Sequence, residues 1–286
     1  MKPRPLLRND DTIEEPADLT TITKRYTDEA IAFIEAHQEQ PFFLYLAHTF
    51  PHTPLAASTA FKGASRRGLY GDVVEELDWS TGRLLERLRK LGLDKRTLVL
   101  FTSDNGPWLL RKLDGGSAGL LREGKGCTFE GGMRVPCIAW WPGKIPAATV
   151  RSDLASTLDV FATVHSLVGI PLPTDRVLDS YDITPVLLGE GASPRREMFY
   201  YREVVLMAAR VGPWKAHFIT QPAYGGQKPT KHDPPLLYNL DIDPSEQHEC
   251  GAQHPQVIRD IQRIVETHRA SVVPVPSQLD LVQKRS

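Results

Sequence analysis

The chain has 286 residues, 41 % hydrophobic and 24 % charged, with a formal net charge of -1. That length can bury about three quarters of the unfolded surface, enough for one large domain or a domain with a smaller companion. Near-neutral charge makes nucleic acid and anionic membrane poor default partners, no apolar run reaches the roughly 18 residues of a membrane span, and the polar start MKPRPLLRNDDTIEEPADL has no apolar signal core and assigns no compartment.

Residues 1–22 read as an extended polar lead-in. TKRYTDEAIAFIEAH at 23–37 spaces its apolar residues for a helix packed on a sheet. Pro41 ends it, and FFLYLA at 42–47 reads as a short buried strand. After a polar, proline-containing loop, 71–93 is the clearest helix. Val74, Leu77, Thr81, Leu84, Leu85, Leu88 and Leu91 recur at helical spacing, with Asp78 near that stripe and Gly92 closing it. TLVLFT at 97–102 is a second apolar strand. Strand, long helix and strand in this order predict a right-handed crossover within a largely parallel sheet.

A glycine-rich loop spans 106–134, where Glu130 and Arg134 suit a turn-fixing pair. VPCIAWWPG at 135–143 supplies a third strand, and 153–168 a helix with Asp153 as its N-cap. After Pro185, short strand candidates at 198–201, 204–211, 214–219 and 236–240 predict a small antiparallel unit, followed by a helix near 255–268. The division expected is an α/β domain over 1–185 and a smaller antiparallel-sheet unit with a terminal helix over 186–286. Cysteines stand only at 127, 137 and 250, with no C-x-x-C pair and no zinc-like cluster.

Few side chains suggest chemistry. Asp104 and Asn105 follow a strand directly, where ligands of open α/β sheets collect. A carboxylate beside an amide oxygen suits a hard cation such as calcium or magnesium, and the same D-N-G string suits a plain turn. Lys125 lies between Gly124 and Gly126 in LLREGKGCTFEGG, so its ammonium has room to approach a bound anion, or simply faces solvent. His52 in HTFPHTP follows the 42–47 run, placed to donate a proton to a leaving oxygen or to stay exposed. Period two in WKAHF puts Lys215 and His217 on one strand face, toward a cleft between the units or toward water.

PFFLYLAHTFPHTPL, GDVVEELDWSTGRLLERLRKLGLDKRTLVLFTSDNG, LLREGKGCTFEGGMRVPCIAWWPG and PLLYNLDIDPSEQ together resemble the sulfatase family, on its arylsulfatase-like branch. The resemblance implies an alkaline-phosphatase-like α/β domain with a mostly parallel mixed sheet, then a small antiparallel sheet and a carboxyl-terminal helix. It implies calcium-assisted hydrolysis of a sulfate monoester, whether a sulfated sugar, a sulfolipid or an aryl sulfate. By the same resemblance Asp104 and Asn105 look like calcium ligands, Lys125 and His52 like catalytic residues that contact the sulfate, and His217 like a substrate-side histidine.

The family nucleophile is a hydrated formylglycine made from the cysteine of a C-x-P-S-R string, or from a serine in the same position. Here Cys127 is followed by TFE, Cys137 by IAW and Cys250 by GAQ. The expectation is therefore a chain carrying the central and carboxyl-terminal portions of a sulfatase, without the nucleophile-bearing segment or any candidate for that residue, and inactive alone. Two alternatives stand beside it: a phosphate or phosphonate ester hydrolase of the same superfamily, and a noncatalytic remnant that binds an anion or a partner. A complete relative is expected to be secreted, periplasmic or lysosomal.

Overall fold

The structure, a computed structural model, describes residues 4–223, 227–273 and 275. Strands β1 (Leu6–Arg8) and β2 (Asp11–Glu14) form a small antiparallel hairpin. Helix α1 (Ile22–Ala36) buries Ile22, Thr23, Thr27, Ala30 and Ile34, the three-and-four spacing of one helix face. It packs on α2 (Gly68–Lys90), and at their contact the Thr27 and Ser80 hydroxyls lie 2.6 Å apart in a hydrogen bond. Both hydroxyls are buried, so this mutual bond spares each an unsatisfied group.

The buried face of α2 lies beside the apolar stripe read from the sequence. Asp72, Val73, Glu76, Leu77, Ser80 and Leu88 face inward, whereas Val74 is 42 % exposed and Asp78 faces solvent. The reason is the loop at 58–65, which has backbone donors and no ladder to satisfy them. Asp72 accepts the Gly63 and Ser65 N–H groups at 2.8 Å, and Glu76 accepts that of Ser58 at 2.9 Å. Two carboxylates are thus buried as acceptors for backbone, which outweighs the helix's apolar pattern.

Strand β3 (Val99–Thr102) leads through a long loop containing the short helix α3 (Glu130–Met133) to β4 (Cys137–Trp140). β3 and β4 pair antiparallel, Val99 opposite Trp140 and Thr102 opposite Cys137. Residues 42–47 join no ladder. Phe42 and Leu44 turn inward against Ile34, Leu88 and Leu93, while Phe43 is 68 % and Tyr45 81 % exposed. Every sheet among the described residues is antiparallel, so the expected mostly parallel mixed sheet is corrected. An apolar run specifies burial; it does not specify direction or partner. The ladder partner of β3 proves to be β4, which returns without a crossover helix.

Helix α4 (Asp159–Val168) begins six residues later than expected, and Asp153 does not cap it. Asp153 instead accepts the Ser193 N–H at 2.9 Å and pairs with Arg151. After α5 (Thr184–Leu188), strands β5 (Glu197–Arg202), β6 (Val205–Val211), β7 (Trp214–Thr220) and β8 (Thr230–Asn239) form a sequential antiparallel sheet. Helix α6 (Pro255–Ser271) covers it, setting Ile258, Ile261 and Val265 against Leu206, Ala209, Ala216 and Leu237. Positions 224–226, between β7 and β8, and 274 and 276–286, after α6, lie outside the described residues.

Candidate active site

The site is built from close backbone approaches. Past β3, the Gly106 N–H donates to the Gly132 carbonyl at 3.0 Å, and the Lys125 N–H donates to the Pro107 carbonyl at 2.8 Å. Only glycine permits the first contact, since a Cβ on Gly106 would lie 1.8 Å from the Gly131 oxygen. A Cβ on Gly124 would likewise lie 2.4 Å from the Pro107 oxygen. The glycine-rich composition of 106–134 therefore lets the turn after β3 and the loop carrying Lys125 close on each other. Within the turn, the Ser103 hydroxyl donates to the Asn105 carbonyl at 3.1 Å, and the Asn105 amide donates to the Gly106 carbonyl at 2.9 Å.

Trp108 gathers the candidates. The His52 ring lies 5.6 Å from the Trp108 ring, centroid to centroid. The Lys125 ammonium is 5.8 Å from the same ring and the Arg111 guanidinium 4.4 Å. His52 Nδ1 sits 2.7 Å from the Thr53 carbonyl. A carbonyl can only accept, so Nδ1 carries the proton and Nε2 is left as the ring's acceptor. Trp108, Leu109, Leu110, Glu123, Gly124, Lys125, Pro222 and Ala223 enclose a cavity of about 120 Å³. Asp104 is exposed and, like Asn105 and His52, does not line this cavity.

The arrangement suits an anion. Two cations and an imidazole approach one indole, and Glu123 is the one carboxylate in the cavity wall. For a metal the fit is partial. Asp104 and Asn105 offer a carboxylate and an amide oxygen, the donor chemistry of a hard cation, but calcium takes six to eight oxygens. Among the described residues no group of three or more histidine, cysteine or carboxylate side chains is gathered to hold a metal. The donors present do not complete a calcium shell.

His217 is placed elsewhere. It is fully buried on β7, its Nε2 2.6 Å from Glu246 Oε1, its ring tilted against Phe129 with centroids 4.5 Å apart. Burial holds its pKa below the ordinary histidine range, so the ring is neutral and donates through Nε2. Next to it Lys215, also fully buried, donates to Glu130 Oε1 at 2.7 Å and lies 3.3 Å from Glu246 Oε1. Burial by itself would lower the lysine; Tyr200, Glu130 and Glu246 around it outweigh that and hold it above the ordinary value. Burial would likewise raise Glu246, but the His217 hydrogen bond and the Lys215 charge keep it below. Glu130 thus pairs with Lys215, not with Arg134 as expected. Sequence reasoning missed Trp108, Arg111 and Glu246; a tryptophan and an arginine directly after the N-G-P turn were the available signal.

A cationic cluster beyond a strand end, in a chain of helices and antiparallel sheets, is the setting in which the comparisons with known proteins are read. A family model described as sulfatase matches residues 6–170, and one described as the C-terminal region of aryl-sulfatase matches 193–286. The chain is 39 % identical to N-acetylgalactosamine-6-sulfatase of Canis lupus familiaris, covering 95 % of this chain and 58 % of that one. It is 40 % identical to arylsulfatase A of Homo sapiens, covering 97 % and 59 %. The PsFucS1 sulfatase of Pseudoalteromonas sp. superposes with a TM-score of 0.82 at 29 % identity, over 90 % of this chain and 56 % of that chain.

The chain belongs to the sulfatase family. It spans a little under three fifths of the length of these curated relatives. The sulfatase model is matched from residue 6 onward, which corrects the expectation of a chain lacking the family's amino-terminal region: residues 6–170 are themselves sulfatase sequence. The exclusion of any nucleophile from this chain, and its reading as an inactive remnant, rested on family strings absent from the sequence: C-x-P-S-R, the paired amino-terminal aspartates and a G-K-W-H-type segment. Both are withdrawn on the same finding.

Proposed function

We propose that this protein is a sulfuric ester hydrolase acting on a sulfate monoester, with Lys125 and His52 as the groups that meet the ester. The observation that carries the reading is the convergence of His52, Lys125 and Arg111 on Trp108 beside the Asp104–Pro107 turn. Lys125 offsets the charge that grows on the sulfate oxygens, and its backbone bond to Pro107 holds the loop in place before reaction. His52, with Nδ1–H committed to Thr53, presents Nε2 to the leaving oxygen, to which its protonated form delivers a proton. Asp104 and Asn105 would contribute two oxygen ligands to a divalent cation, fewer than such an ion takes, and the roles given to Lys125 and His52 do not depend on it. The relatives' printed names favour a sulfated sugar or an aryl sulfate as substrate class.

The test is turnover of matched aryl sulfate and aryl phosphate by the purified protein and its variants. The sulfate is expected to be the better substrate. Lys125→Ala is expected to lower kcat/KM about a hundredfold or more, and His52→Ala to lower kcat about a hundredfold or more. Wild-type turnover by Lys125→Ala, or preference for the phosphate, would refute the assignment. Calcium binding measured by calorimetry, weakened by Asp104→Ala, tests the metal ligands separately.

A further inference from the structure

We propose that Glu246 is a positioning residue for Lys125, clamping both shoulders of the loop that carries it. This rests on the reading of Lys125 given above. The Glu246 side-chain Oε2 accepts the Glu130 N–H at 2.6 Å, and its backbone carbonyl accepts a guanidinium N–H of Arg122 at 2.8 Å. Arg122 and Glu130 flank Lys125 on either side, and the loop is closed between them where the Gly131 N–H donates to the Arg122 carbonyl at 2.8 Å. One residue of the carboxyl-terminal part therefore holds the entrance and exit of a loop in the amino-terminal part.

Glu246 is itself held firmly. It is fully buried, its other oxygen accepts from His217 at 2.6 Å, and Lys215 stands 3.3 Å away as the compensating charge. Its φ of 50° lies in the left-handed region that favours glycine, a conformation that persists only where the surroundings determine it. They do: the Asp243 carboxylate accepts the Gln247 and His248 N–H groups at 2.9 and 2.8 Å, closing the turn that presents Glu246. Phe129 fills the remaining space between the Arg122 guanidinium, 4.1 Å from its centroid, and the His217 ring. A carboxylate that only solvated Lys215 would need neither the Glu130 N–H nor Arg122. These two contacts point to the loop.

The experiment compares Glu246→Gln and Arg122→Met with the parent in amide hydrogen exchange and in aryl sulfate turnover. Gln keeps the shape and loses the charge; Arg122→Met cuts only the other shoulder and covers the case in which Glu246→Gln does not fold. The clamp predicts exchange at the Lys125, Glu130 and Gly131 amides about tenfold faster or more, with the amides of α6 unchanged. It predicts a fall in kcat of about tenfold to a hundredfold, and little further loss when either substitution is added to Lys125→Ala. Unchanged exchange at these amides in both variants overturns the proposal, as does full additivity with Lys125→Ala. A loosened loop with wild-type turnover in Lys125→Ala supports the clamp and refutes the catalytic reading of Lys125 instead.

Discussion

Lys215 offers the sharpest measurement of how this protein is held together, and Lys215→Met is the perturbation. The ammonium is fully buried, 2.7 Å from Glu130 Oε1 and 3.3 Å from Glu246 Oε1, and 4.5 Å from the centre of the Tyr200 ring. Methionine fills nearly the same volume, so packing changes little while the charge disappears. Two carboxylates, both almost wholly buried, are then left with Arg210 at 3.9 Å from Glu130 and a neutral His217. Breaking a buried pair by removing one partner costs about 3–5 kcal/mol. At roughly 2–4 °C per kcal/mol for chains of this order, Tm should fall by roughly 6–20 °C. Urea denaturation followed by tryptophan fluorescence gives the free energy and calorimetry the Tm. Adding Glu130→Gln removes one stranded charge, so the double variant should regain about 1–2 kcal/mol over Lys215→Met alone. A loss below about 1 kcal/mol, or a double variant as unstable as the two single losses added, would refute the reasoning.

The remaining predictions concern the loop closure and the response to pH. Gly106→Ala forces a methyl to within 1.8 Å of the Gly131 oxygen, backbone against backbone; it should cost about 1–3 kcal/mol or more and speed exchange of the Lys125 amide, and an unchanged Tm would sink the close-approach argument. Stability should also fall with acid. His217 has its folded pKa depressed by burial, so below the ordinary histidine value of about 6.5 the unfolded chain binds a proton that the folded one refuses, and stability drops as pH falls. Glu246, also depressed in the fold, contributes stability above the ordinary glutamate value that is lost as pH falls through its folded one. Lys215, Glu246, Arg122, Tyr238 and Phe129 are the groups that face His217. In His217→Gln the slope of Tm against pH between about 7 and 5 should flatten; an unchanged slope would show that other groups govern it.

Much of the fold was legible because period and punctuation report burial directly. Helices α1 and α2, and strands β5 to β7, lie where alternation or helical spacing placed them. Strand direction was not legible, because 42–47 and 97–102 look alike as apolar runs while only the latter finds a ladder partner. The inward face of α2 was misread because loop backbone recruited Asp72 and Glu76, and hydropathy cannot foresee that demand. The close loop around Lys125 could be read from its glycines, since Gly106, Gly124, Gly131 and Gly132 each stand where a Cβ would meet backbone. His217 could not. Period two assigns it to a face shared with Lys215, but what covers that face is set by Glu130 and Glu246, distant in sequence.

The same long-range chemistry joins the segments that the two family models match. The apolar cluster under α6 draws all its members from Phe199 onward, whereas the clusters around Val73 and around Ile34 draw theirs from residues up to Trp140. No such cluster of described residues spans both parts. What spans them is polar and, except at exposed Arg122, buried: Lys215 with Glu130, Glu246 with the Glu130 N–H and Arg122, and Arg195 on Asp159 through two bonds of 3.0 and 2.6 Å. Apolar contact tolerates sliding, because its energy follows area and has no direction. A bidentate guanidinium–carboxylate pair has a fixed geometry, and a buried charge displaced from its partner is left uncompensated. A joint made of such contacts transmits position. It lets a turn near residue 246 dictate where the ammonium of Lys125 stands.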